Sequence, residues 1–302
     1  MTGKYNFSTH FNKANLFSLI IFSLSIILIA FKGLNYGIDF KGGTLIELRV
    51  SDKNISISEI RYLFKQNISG DLNVKEFGEK GDFLVKVEKT SLNNPDFIPN
   101  LKSKIKKSMS TGVEFRRIEN VGPKVSSELL RSGIIAIALS LTAMLFYIWI
   151  RFEWQFSLGS IIAIFHDVII TIGIFSVMSF EINLSIIAAV LTIVGYSMND
   201  TVVIYDRIRE NLSKFNRIPI NDISNLSINE TLSRTIITSV TTLLALLSIF
   251  ILGGQILKGF SFAMILGVLI GTYSSIFVAA PVLKFFKVSY KTMQKEDEEI
   301  LP

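Results

Sequence analysis

The sequence predicts a bundle of six membrane-spanning α-helices with an α+β domain inserted between the first and second helices. Of its 302 residues, 49% are apolar and only 19% are charged, whereas soluble domains carry nearer a quarter charged residues. The mean hydropathy is correspondingly positive, at +0.47. The apolar residues are concentrated in six stretches of the length that a span requires, about 20 residues. A long segment of mixed composition, 33–122, separates the first stretch from the second.

The predicted spans divide the chain into four parts. The six predicted spans cover residues 16–31, 132–150, 156–178, 183–205, 235–252 and 260–286. Short hinges at 151–155 and 179–182 predict that the second, third and fourth spans pack as a compact bundle. The length of the last span predicts a tilt or an interfacial end. The predicted parts are a cytoplasmic N-terminus with the first span at 1–32, the inserted domain at 33–122, the remaining spans at 123–288 and a cytoplasmic tail at 289–302.

Basic residues near the ends of the spans predict the orientation. Cytoplasmic loops of membrane proteins carry an excess of Lys and Arg, which is counted over short loops only. With the N-terminus in the cytoplasm, these residues cluster on the cytoplasmic side, and the opposite short loops hold only Lys258. We therefore expect both termini in the cytoplasm and residues 33–130 on the opposite side of the membrane.

Alternation and helical spacing in the inserted domain predict the element order β-α-β-β-α-β. Strands are predicted at 44–51, 72–77, 83–87 and 113–121, and helices at 58–67 and 96–109, with a glycine-containing hairpin turn between the second and third strands. This is the order of the ferredoxin-like split unit. Gly122 and Pro123 then predict the start of the next helix, because proline at the first helical position costs no hydrogen bond.

Composition excludes several kinds of chemistry. The chain has no cysteine and only two histidines, which excludes disulfides and thiolate catalysis and deprives a transition metal of its usual ligands. Gly42 and Gly43 precede a strand and do not open a helix, so they predict a tight turn and not a phosphate-binding loop. No nucleophile–base pair is visible in the sequence. We therefore expect neither an enzyme nor a resident cofactor.

The best functional candidates are ionisable side chains within the spans, because each is costly in hydrocarbon unless it is paired or hydrated. Asn199 and Asp200 lie in the fourth span, with Asp200 about 9 Å from the predicted cytoplasmic end at Asp206. The short stem of Asp200 and the apolar Val202 and Val203 that follow it favour a functional carboxylate. A capped carboxylate near the membrane interface is the alternative.

The fifth span supplies a positive charge at the same membrane face. Ser227 and Glu230 have the spacing of a capping box, which predicts a helix start near Ile228 after a long loop and puts Arg234 in the second helical turn. Arg234 is then a candidate partner that keeps Asp200 ionised until a proton competes. An anchor to lipid phosphate is the alternative for Arg234.

A stripe of threonines on the fifth span fits two interpretations equally, a hydrated path from the cytoplasm or packing hydroxyls that bond their own backbone. The stripe consists of Thr231, Thr235, Thr238 and Thr242.

His166 and Asp167 lie near the middle of the third span. Adjacent residues of a helix point about 100° apart, so we expect the two side chains to have different partners. For His166 a buried, neutral ring bonded to a neighbouring helix is favoured. Asp167 is a second candidate for the proton path.

Small residues recur at every fourth position of the sixth span, including Gly267 and Gly271. Such a strip lets another helix approach closely. We therefore expect these two glycines to serve helix packing.

Three motifs make the chain similar to one family. They are Gly37-Ile38-Asp39-Phe40-Lys41-Gly42-Gly43-Thr44 after the first span, Val121-Gly122-Pro123-Lys124-Val125 before the second, and GYSMNDTVVIYDRIREN at 195–211. On these residues the chain resembles the SecF proteins of the SecD/SecF family of bacterial protein export, over essentially its whole length. The motif at 195–211 is long and highly specific, whereas SecD-type proteins share the first one.

The resemblance implies an RND-type protein in the bacterial inner membrane, with residues 33–130 in the periplasm. It implies SecD as the partner that supplies a second six-helix half, and it extends the candidate partners to the SecYEG channel, YajC, YidC and unfolded preprotein in transit. The implied activity uses the proton-motive force, with protons as the coupling ion and no cofactor, to promote preprotein translocation after the ATP-driven SecA step. By the same resemblance Asp200 is the proton-binding carboxylate and Arg234 its charged partner.

Two other functions are compatible with the residues. One is an RND-like proton-coupled exporter of lipids or small molecules, which would share the fold and the intramembrane carboxylate. The other is a scaffold that only stabilises the translocation channel, in which Asp200 is merely structural.

Overall fold

The structure is a computed structural model that describes residues 5–68, 72–76, 78–87, 97–109, 112–215, 218–290 and 292. The chain divides into two compact units. The helical unit consists of residues 1–34, 136–180 and 185–302, and the second unit, of residues 35–135 and 181–184, contains the inserted domain.

Within the described residues the chain forms ten α-helices and six β-strands. The helices are α1 Phe11–Lys32, α2 Ile38–Lys41, α3 Ile57–Asn67, α4 Phe97–Ser108, α5 Pro123–Arg151, α6 Trp154–Met178, α7 Leu184–Lys214, α8 Ile220–Leu252, α9 Gly254–Ser274 and α10 Ala280–Phe285. The strands are β1 Asn35–Tyr36, β2 Gly43–Val50, β3 Leu72–Glu76, β4 Asp82–Val87, β5 Val113–Val121 and β6 Glu181–Ile182. A π-helical segment at Ser275–Ala279, the π turn, joins α9 to α10.

Six helical segments are long and apolar enough to cross a membrane, which confirms the predicted number and order of the spans. They are Ser8–Lys32, Pro123–Arg151, Trp154–Met178, Leu184–Lys214, Ile220–Leu252 and Leu257–Phe285. Several of them extend beyond the predicted apolar stretch. For example, α7 continues past the polar Asp206 to Lys214, because the Arg, Glu and Lys residues of this part are good helix formers although they are not apolar.

The start of α8 differs from the prediction. The helix begins at Ile220, directly after Pro219, whose extended backbone (φ −58°, ψ 146°) ends the connection from α7. The predicted capping box and the predicted long loop are therefore wrong, and Ser227 lies fully buried inside the helix. The Ser-x-x-Glu pattern serves a contact between helices, because Asn211 of α7 donates to Ser227 Oγ (2.9 Å) and to Glu230 Oε2 (2.7 Å).

Three helical segments form the centre of the helical unit: α6, α7, and the continuous stretch made of α9, the π turn and α10. In each of them, at least half of the residues in the most apolar stretch are buried. Their shared core includes the large side chains of Phe156, Ile204 and Tyr205. The apolar parts of α1, α5 and α8 are mostly exposed. Exposed apolar side chains of this kind suit contact with lipid or with another membrane protein.

Two glycines of α9 lie against α7. A Cβ at position 271 would stand 3.1 Å from the Cβ of Ser197, and a Cβ at position 267 would overlap the side chain of Ile193. The two backbones therefore approach more closely here than larger residues would allow, as small residues at helix interfaces permit.

The inserted domain is a four-stranded antiparallel sheet in the order β3-β4-β2-β5, with α3 and α4 packed on one face. Its element order agrees with the predicted β-α-β-β-α-β. Ile46, Leu48 and Val50 are buried at alternate positions of β2, as the pleat of a half-buried strand requires. They pack with residues such as Phe64 of α3 and Ile105 of α4.

The ends of these elements agree with the sequence to within a few residues. Ser56 and Glu59 form a capping box at the start of α3, and Pro123 begins α5 as predicted. Positions 77 and 96, the predicted ends of a strand and a helix, lie outside the described residues.

Candidate functional site

Asp200 lies on the buried face of α7, with 3% of its surface exposed. Ser197 and Ile204 share this face, because they lie three residues before and four residues after Asp200, the spacing of neighbours on one side of a helix. The Oδ2 atom of Asp200 is buried and has no hydrogen-bond partner among the residues that the structure describes. The carboxyl group is therefore packed inside the helical unit with this oxygen unsatisfied by the described residues.

Asn199 and Arg234 both have exposed side chains. Arg234 is near enough for its charge to act on the Asp200 carboxyl, but these two described side chains form no ion pair within 4.0 Å. Arg234, the candidate partner predicted from the sequence, is thus not ion-paired with Asp200 in the described structure. Because α8 begins at Ile220, Arg234 lies well inside the helix, and the next residue, Thr235, is the one that faces the core with 2% of its surface exposed.

Asp167 is a second buried carboxyl group, with 0% of its surface exposed. Its Oδ2 atom accepts hydrogen bonds from Ser197 Oγ of α7 (2.5 Å) and from Ser274 Oγ of α9 (2.7 Å). Its Oδ1 atom lies 2.8 Å from Nδ1 of His166. An ionised carboxylate only accepts hydrogen bonds, so Nδ1 is the donor when Asp167 is ionised. One side chain thus joins α6, α7 and α9.

His166 is buried as predicted, but its partner is not the predicted one. The ring bonds to the adjacent Asp167 instead of to a neighbouring helix, with Nδ1 of His166 2.8 Å from Oδ1 of Asp167. Phe22 of α1 and Tyr273 of α9 stack on the ring, each with its centroid 6.4 Å away. The Nε2 atom of His166 is buried, and none of the described residues forms a hydrogen bond with it.

The π turn contacts α7 one turn beyond Asp200. The hydroxyl of Tyr205 donates a hydrogen bond to the carbonyl oxygen of Ala279 (2.9 Å), and Tyr205 is fully buried. Space for this hydroxyl exists because position 159 of α6 is glycine, where a Cβ would overlap it. A π turn inside an α-helix is rare and is frequently found at functional sites.

Two of the four threonines in the α8 stripe support the packing interpretation. Thr231 donates to the carbonyl of Ser227 (2.9 Å) and Thr238 to that of Arg234 (3.0 Å), both one turn back along the same helix. Thr235 differs, because its hydroxyl is buried without a partner in the described part of the chain. The stripe therefore does not form a continuous set of free hydroxyls.

Ion pairs along the C-terminal part of α7 were not predicted from the sequence. Arg151, at the end of α5, contacts Asp206 (3.0 Å), and Glu153, which precedes α6, contacts Arg209 (3.3 Å). Farther along, Arg207 contacts Glu230 of α8 (2.7 Å). The sequence does contain oppositely charged residues in the hinge 151–155 and in the segment 206–210, but which of them form ion pairs cannot be predicted without the fold.

The first two family motifs meet in the second unit. Gly43 pairs with Val121 in the sheet. Gly42 has φ 77° and lies so close to the start of α5 that a Cβ there would stand 3.3 Å from Ser126 Oγ and 3.5 Å from the Cα of Pro123. The motif glycines thus form the turn against which α5 begins, and Gly122, just before Pro123, accepts a hydrogen bond from the Ser126 hydroxyl (3.0 Å).

Asp39 of the same motif bonds to another helix. Its Oδ2 atom accepts a hydrogen bond from the backbone N–H of Leu184 (2.9 Å), the first residue of α7. The sequence offers no signal for this contact, since the two residues are far apart in the chain.

Among the residues that the structure describes, no group of three or more His, Asp and Glu side chains is arranged to hold a metal ion.

Comparison with known proteins agrees with the fold. Residues 101–289 match the family described as "Protein export membrane protein SecD/SecF, C-terminal", and residues 27–53 match the "SecD/SecF GG Motif". The chain is 45% identical over 271 residues to the protein translocase subunit SecF of Rickettsia bellii, covering 89% of each chain. It is 40% identical over 291 residues to that of Cereibacter sphaeroides, covering 93% of this chain and 89% of the other.

Two solved structures are similar to the whole chain. One is SecDF from Thermus thermophilus, described as a translocon-associated membrane protein, with a TM-score of 0.85 and 35% identity over 94% of this chain. The other is SecDF in a super-membrane-facing form, with a TM-score of 0.70 and 33% identity over 99% of this chain. The chain spans 38% and 40% of those longer chains. It is therefore a multi-pass inner-membrane protein that belongs to the SecD/SecF family, among the SecF protein translocase subunits.

Proposed function

We propose that this chain couples proton movement across the membrane to preprotein translocation, as one half of a complex with SecD. In the proposed cycle Asp200 binds and releases the proton, and Arg234 supplies the charge that acts on the ionised carboxylate. Asn199 lies beside Asp200 in the same motif, and protons are the coupling ion. The work is done on unfolded preprotein that emerges from the SecYEG channel after the ATP-driven SecA step.

The buried Oδ2 atom of Asp200, which has no partner among the described residues, carries this proposal. An ionised group in a low-dielectric surrounding is expensive unless it is paired, and no described residue forms an ion pair with Asp200 within 4.0 Å. Binding a proton removes the charge and with it the cost. The equilibrium between two conformations of α7 would then depend on whether Asp200 is protonated.

The size of the driving force is sufficient for such a cycle. One elementary charge that crosses a potential of 100 mV supplies about 2.3 kcal/mol. That free energy changes a two-state equilibrium by a factor of about fifty. Coupling therefore needs only a pair of conformations of α7 and its neighbours that differ in their affinity for the proton.

The proposed partner and orientation rest on the relatives and on the sequence. The SecDF chains are more than twice the length that this chain covers, which supports SecD as the second half. The excess of basic residues supports cytoplasmic termini and a periplasmic inserted domain. Exposed aromatic residues where α5 meets α6, Tyr147, Trp149 and Trp154, are typical of the membrane–water interface.

The test is export driven by a proton gradient in vesicles that contain SecYEG, SecD and this chain, with Asp200→Asn compared with wild type. We expect proton-dependent export to be lost in Asp200→Asn, because the amide cannot exchange a proton. Asp206→Asn is the matched control, since Asp206 lies on the same helix but is exposed and paired with Arg151. It should retain proton-dependent export.

Three outcomes would contradict the proposal. Full proton-dependent export by Asp200→Asn would remove Asp200 from the mechanism. A lower yield of the assembled complex in Asp200→Asn, with an unchanged response to the gradient in the complex that forms, would support the scaffold function instead. Co-purification of a lipid in place of the channel subunits would support the exporter function.

A further inference from the structure

We infer that Asp167 is a positioning residue for Asp200, which holds the Asp200 segment of α7 against the π turn by hydrogen bonds and carries no proton itself. This inference rests on the proposed function of Asp200. It assigns Asp167 a role in the geometry of the proton site and not in the transfer of the proton.

The two buried carboxyl groups differ in their hydrogen bonding. Asp167 has hydrogen-bond partners on both of its oxygens, from His166, Ser197 and Ser274, whereas Asp200 Oδ2 has none among the described residues. A buried carboxylate that is fully hydrogen-bonded is a fixed structural element. Asp167 therefore has the features of an anchor.

The anchor holds the turn of α7 that precedes Asp200. Ser197 comes three residues before Asp200, so the two share one face of the helix. The backbone of α9 is close at this point, since a Cβ at Gly271 would stand 3.1 Å from the Cβ of Ser197. The hydrogen bond to Asp167 thus fixes the turn that precedes Asp200 where α7 and α9 are in close contact.

A second attachment lies on the other side of Asp200. Tyr205 follows Asp200 by five residues and donates its hydroxyl to Ala279, the last residue of the π turn. Ser274, which donates to Asp167, directly precedes the π turn. The π turn is therefore attached at both ends to the segment of α7 that contains Asp200, once through Asp167 and once directly.

These attachments make the π turn and the Asp200 segment a single unit. A movement of α7 along α9 requires that the hydrogen bonds at both ends of the π turn break or exchange partners. Because Asp167 receives hydrogen bonds from both helices at the Ser274 end, it determines where Asp200 stands relative to α9. Its hydrogen-bonding capacity, and not its ability to exchange a proton, is what the site requires.

The test compares three substitutions at this anchor in the full chain assembled with SecD. Asp167→Asn retains an acceptor oxygen for Ser197 and Ser274, Asp167→Ala removes it, and Ser274→Ala removes one donor. Ser160→Ala is the matched control, because Ser160 is also buried on α6 but bonds to its own backbone at Phe156 (3.0 Å). The readouts are the infrared band of the protonated Asp200 carboxyl group, assigned by its loss in Asp200→Asn, and the rate of proton-driven export.

We expect Ser274→Ala to shift the Asp200 band and to lower export by about tenfold, a change of the size that one buried hydrogen bond produces, and Asp167→Ala, which loses three hydrogen bonds, to have a larger effect. Asp167→Asn should restore the band and most of the export. An unshifted Asp200 band in folded Asp167→Ala and Ser274→Ala would overturn the inference. So would loss of export in Asp167→Asn with an unshifted Asp200 band, because that result would make Asp167 a proton carrier.

The failure of this inference is distinguishable from the failure of the proposed function. If Asp200→Asn abolishes proton-driven export while all three anchor variants behave like Ser160→Ala, only the positioning role of Asp167 is wrong. If Asp200→Asn exports normally, the proposed function itself is wrong. Should Asp167→Ala fail to fold, Ser274→Ala still decides the question, since it leaves the carboxylate and its other two hydrogen bonds in place.

Discussion

Asp39 accepts a hydrogen bond on Oδ2 from the backbone N–H of Leu184, across 2.9 Å, at the first residue of the helix that carries Asp200. The first N–H groups of an α-helix have no partner within the helix, and a negative charge near them is favourable because the helix dipole is positive at that end. An acid of the family's glycine motif thus supplies a cap to a helix that begins far away in sequence.

This contact predicts a specific effect of removing the Asp39 carboxylate. In Asp39→Ala the first turn of α7 should open more often, at a cost of about 1 kcal/mol, the usual value for loss of a helix cap. Asp39→Asn keeps an acceptor oxygen and should lose less. Amide hydrogen exchange of the first turn of α7, measured by mass spectrometry on the full chain, checks this prediction. Equal exchange in wild type and Asp39→Ala would show that the hydrogen bond contributes nothing to the helix start.

Asp82 of the inserted domain predicts a dependence of stability on pH. Its carboxylate is buried and receives two hydrogen bonds from Arg49 (2.5 and 2.7 Å) and one from Arg116 (3.4 Å). The hydrogen bonds from Arg49 hold the pKa of Asp82 below its ordinary value of 3.8, against the opposing effect of burial and with help from the charge of Arg116. The unfolded chain therefore binds this proton more readily than the folded domain does.

The direction of the effect follows from the lowered pKa. The stability that the ionised Asp82 contributes is fully present above pH 3.8 and is lost as the pH falls through the lower pKa of the folded domain. Asp82→Asn should lower the urea midpoint at neutral pH, and the difference from wild type should shrink below pH 3.8. Because the chain has no cysteine, a dye on a cysteine introduced at the exposed Tyr62 reports unfolding of this domain alone. A difference that is constant across the pH range would contradict the prediction.

Local periodicity explains why so much of the fold could be predicted. A span depends on a run of apolar residues, and a strand such as β2 depends on alternation, so the spacing of Ile46, Leu48 and Val50 is enough to identify the buried face of that strand. The order of the elements follows from reading these periods along the chain. None of these predictions requires knowing which residues, far apart in the sequence, contact each other in the fold.

The candidate site is formed by contacts between residues that are far apart in the sequence, and it could therefore be predicted only in part. Asp200 is conspicuous because it is a carboxyl group in an apolar run. The anchor around Asp167 is not, since its partners Ser197 and Ser274 lie 30 and 107 residues away and serines are unremarkable in a span. The predicted start of α8 is wrong although Pro219 is a valid start signal, and that error led to the prediction that Arg234 lies in the second turn of the helix.

The contact between Gly159 and Tyr205 predicts a pair of coupled substitutions. Gly159→Ala would put a methyl group on the Tyr205 hydroxyl, and overpacking of this kind costs about 1–3 kcal/mol. Tyr205→Phe alone loses the hydrogen bond to Ala279, at a cost of about 1 kcal/mol. The double variant should lose less than the sum, because without the hydroxyl the nearest ring atom is 3.4 Å from the new methyl group.

A double-mutant cycle in the full chain, measured by thermal unfolding in detergent, tests the coupling. The interaction term between Gly159→Ala and Tyr205→Phe should be favourable. Strict additivity of the two effects would mean that the methyl group is accommodated by a movement of α6 and that the hydroxyl does not limit the packing.

The strip of small residues on α9 predicts that alanine is harmful at a position where it would ordinarily be neutral or helpful. Glycine inside an exposed helix is worth roughly 1 kcal/mol less than alanine, so Gly195→Ala on α7, with open space around it, should leave stability unchanged or raise it. Gly267→Ala should lower it, because the new Cβ overlaps the side chain of Ile193. The opposite signs of the two substitutions, measured by thermal unfolding of the full chain, separate packing from helix propensity.

Shortening Ile193 identifies the atoms responsible. Ile193→Ala removes the three side-chain atoms nearest to a Cβ at position 267, although the substitution alone costs about 2–5 kcal/mol through the cavity that it leaves. In the double variant the methyl group introduced at position 267 partly fills that cavity, so Gly267→Ala should become stabilising in the Ile193→Ala background. If Gly267→Ala were equally harmful with alanine at position 193, the overlap with Ile193 would not be the reason that glycine is needed on this face of α9.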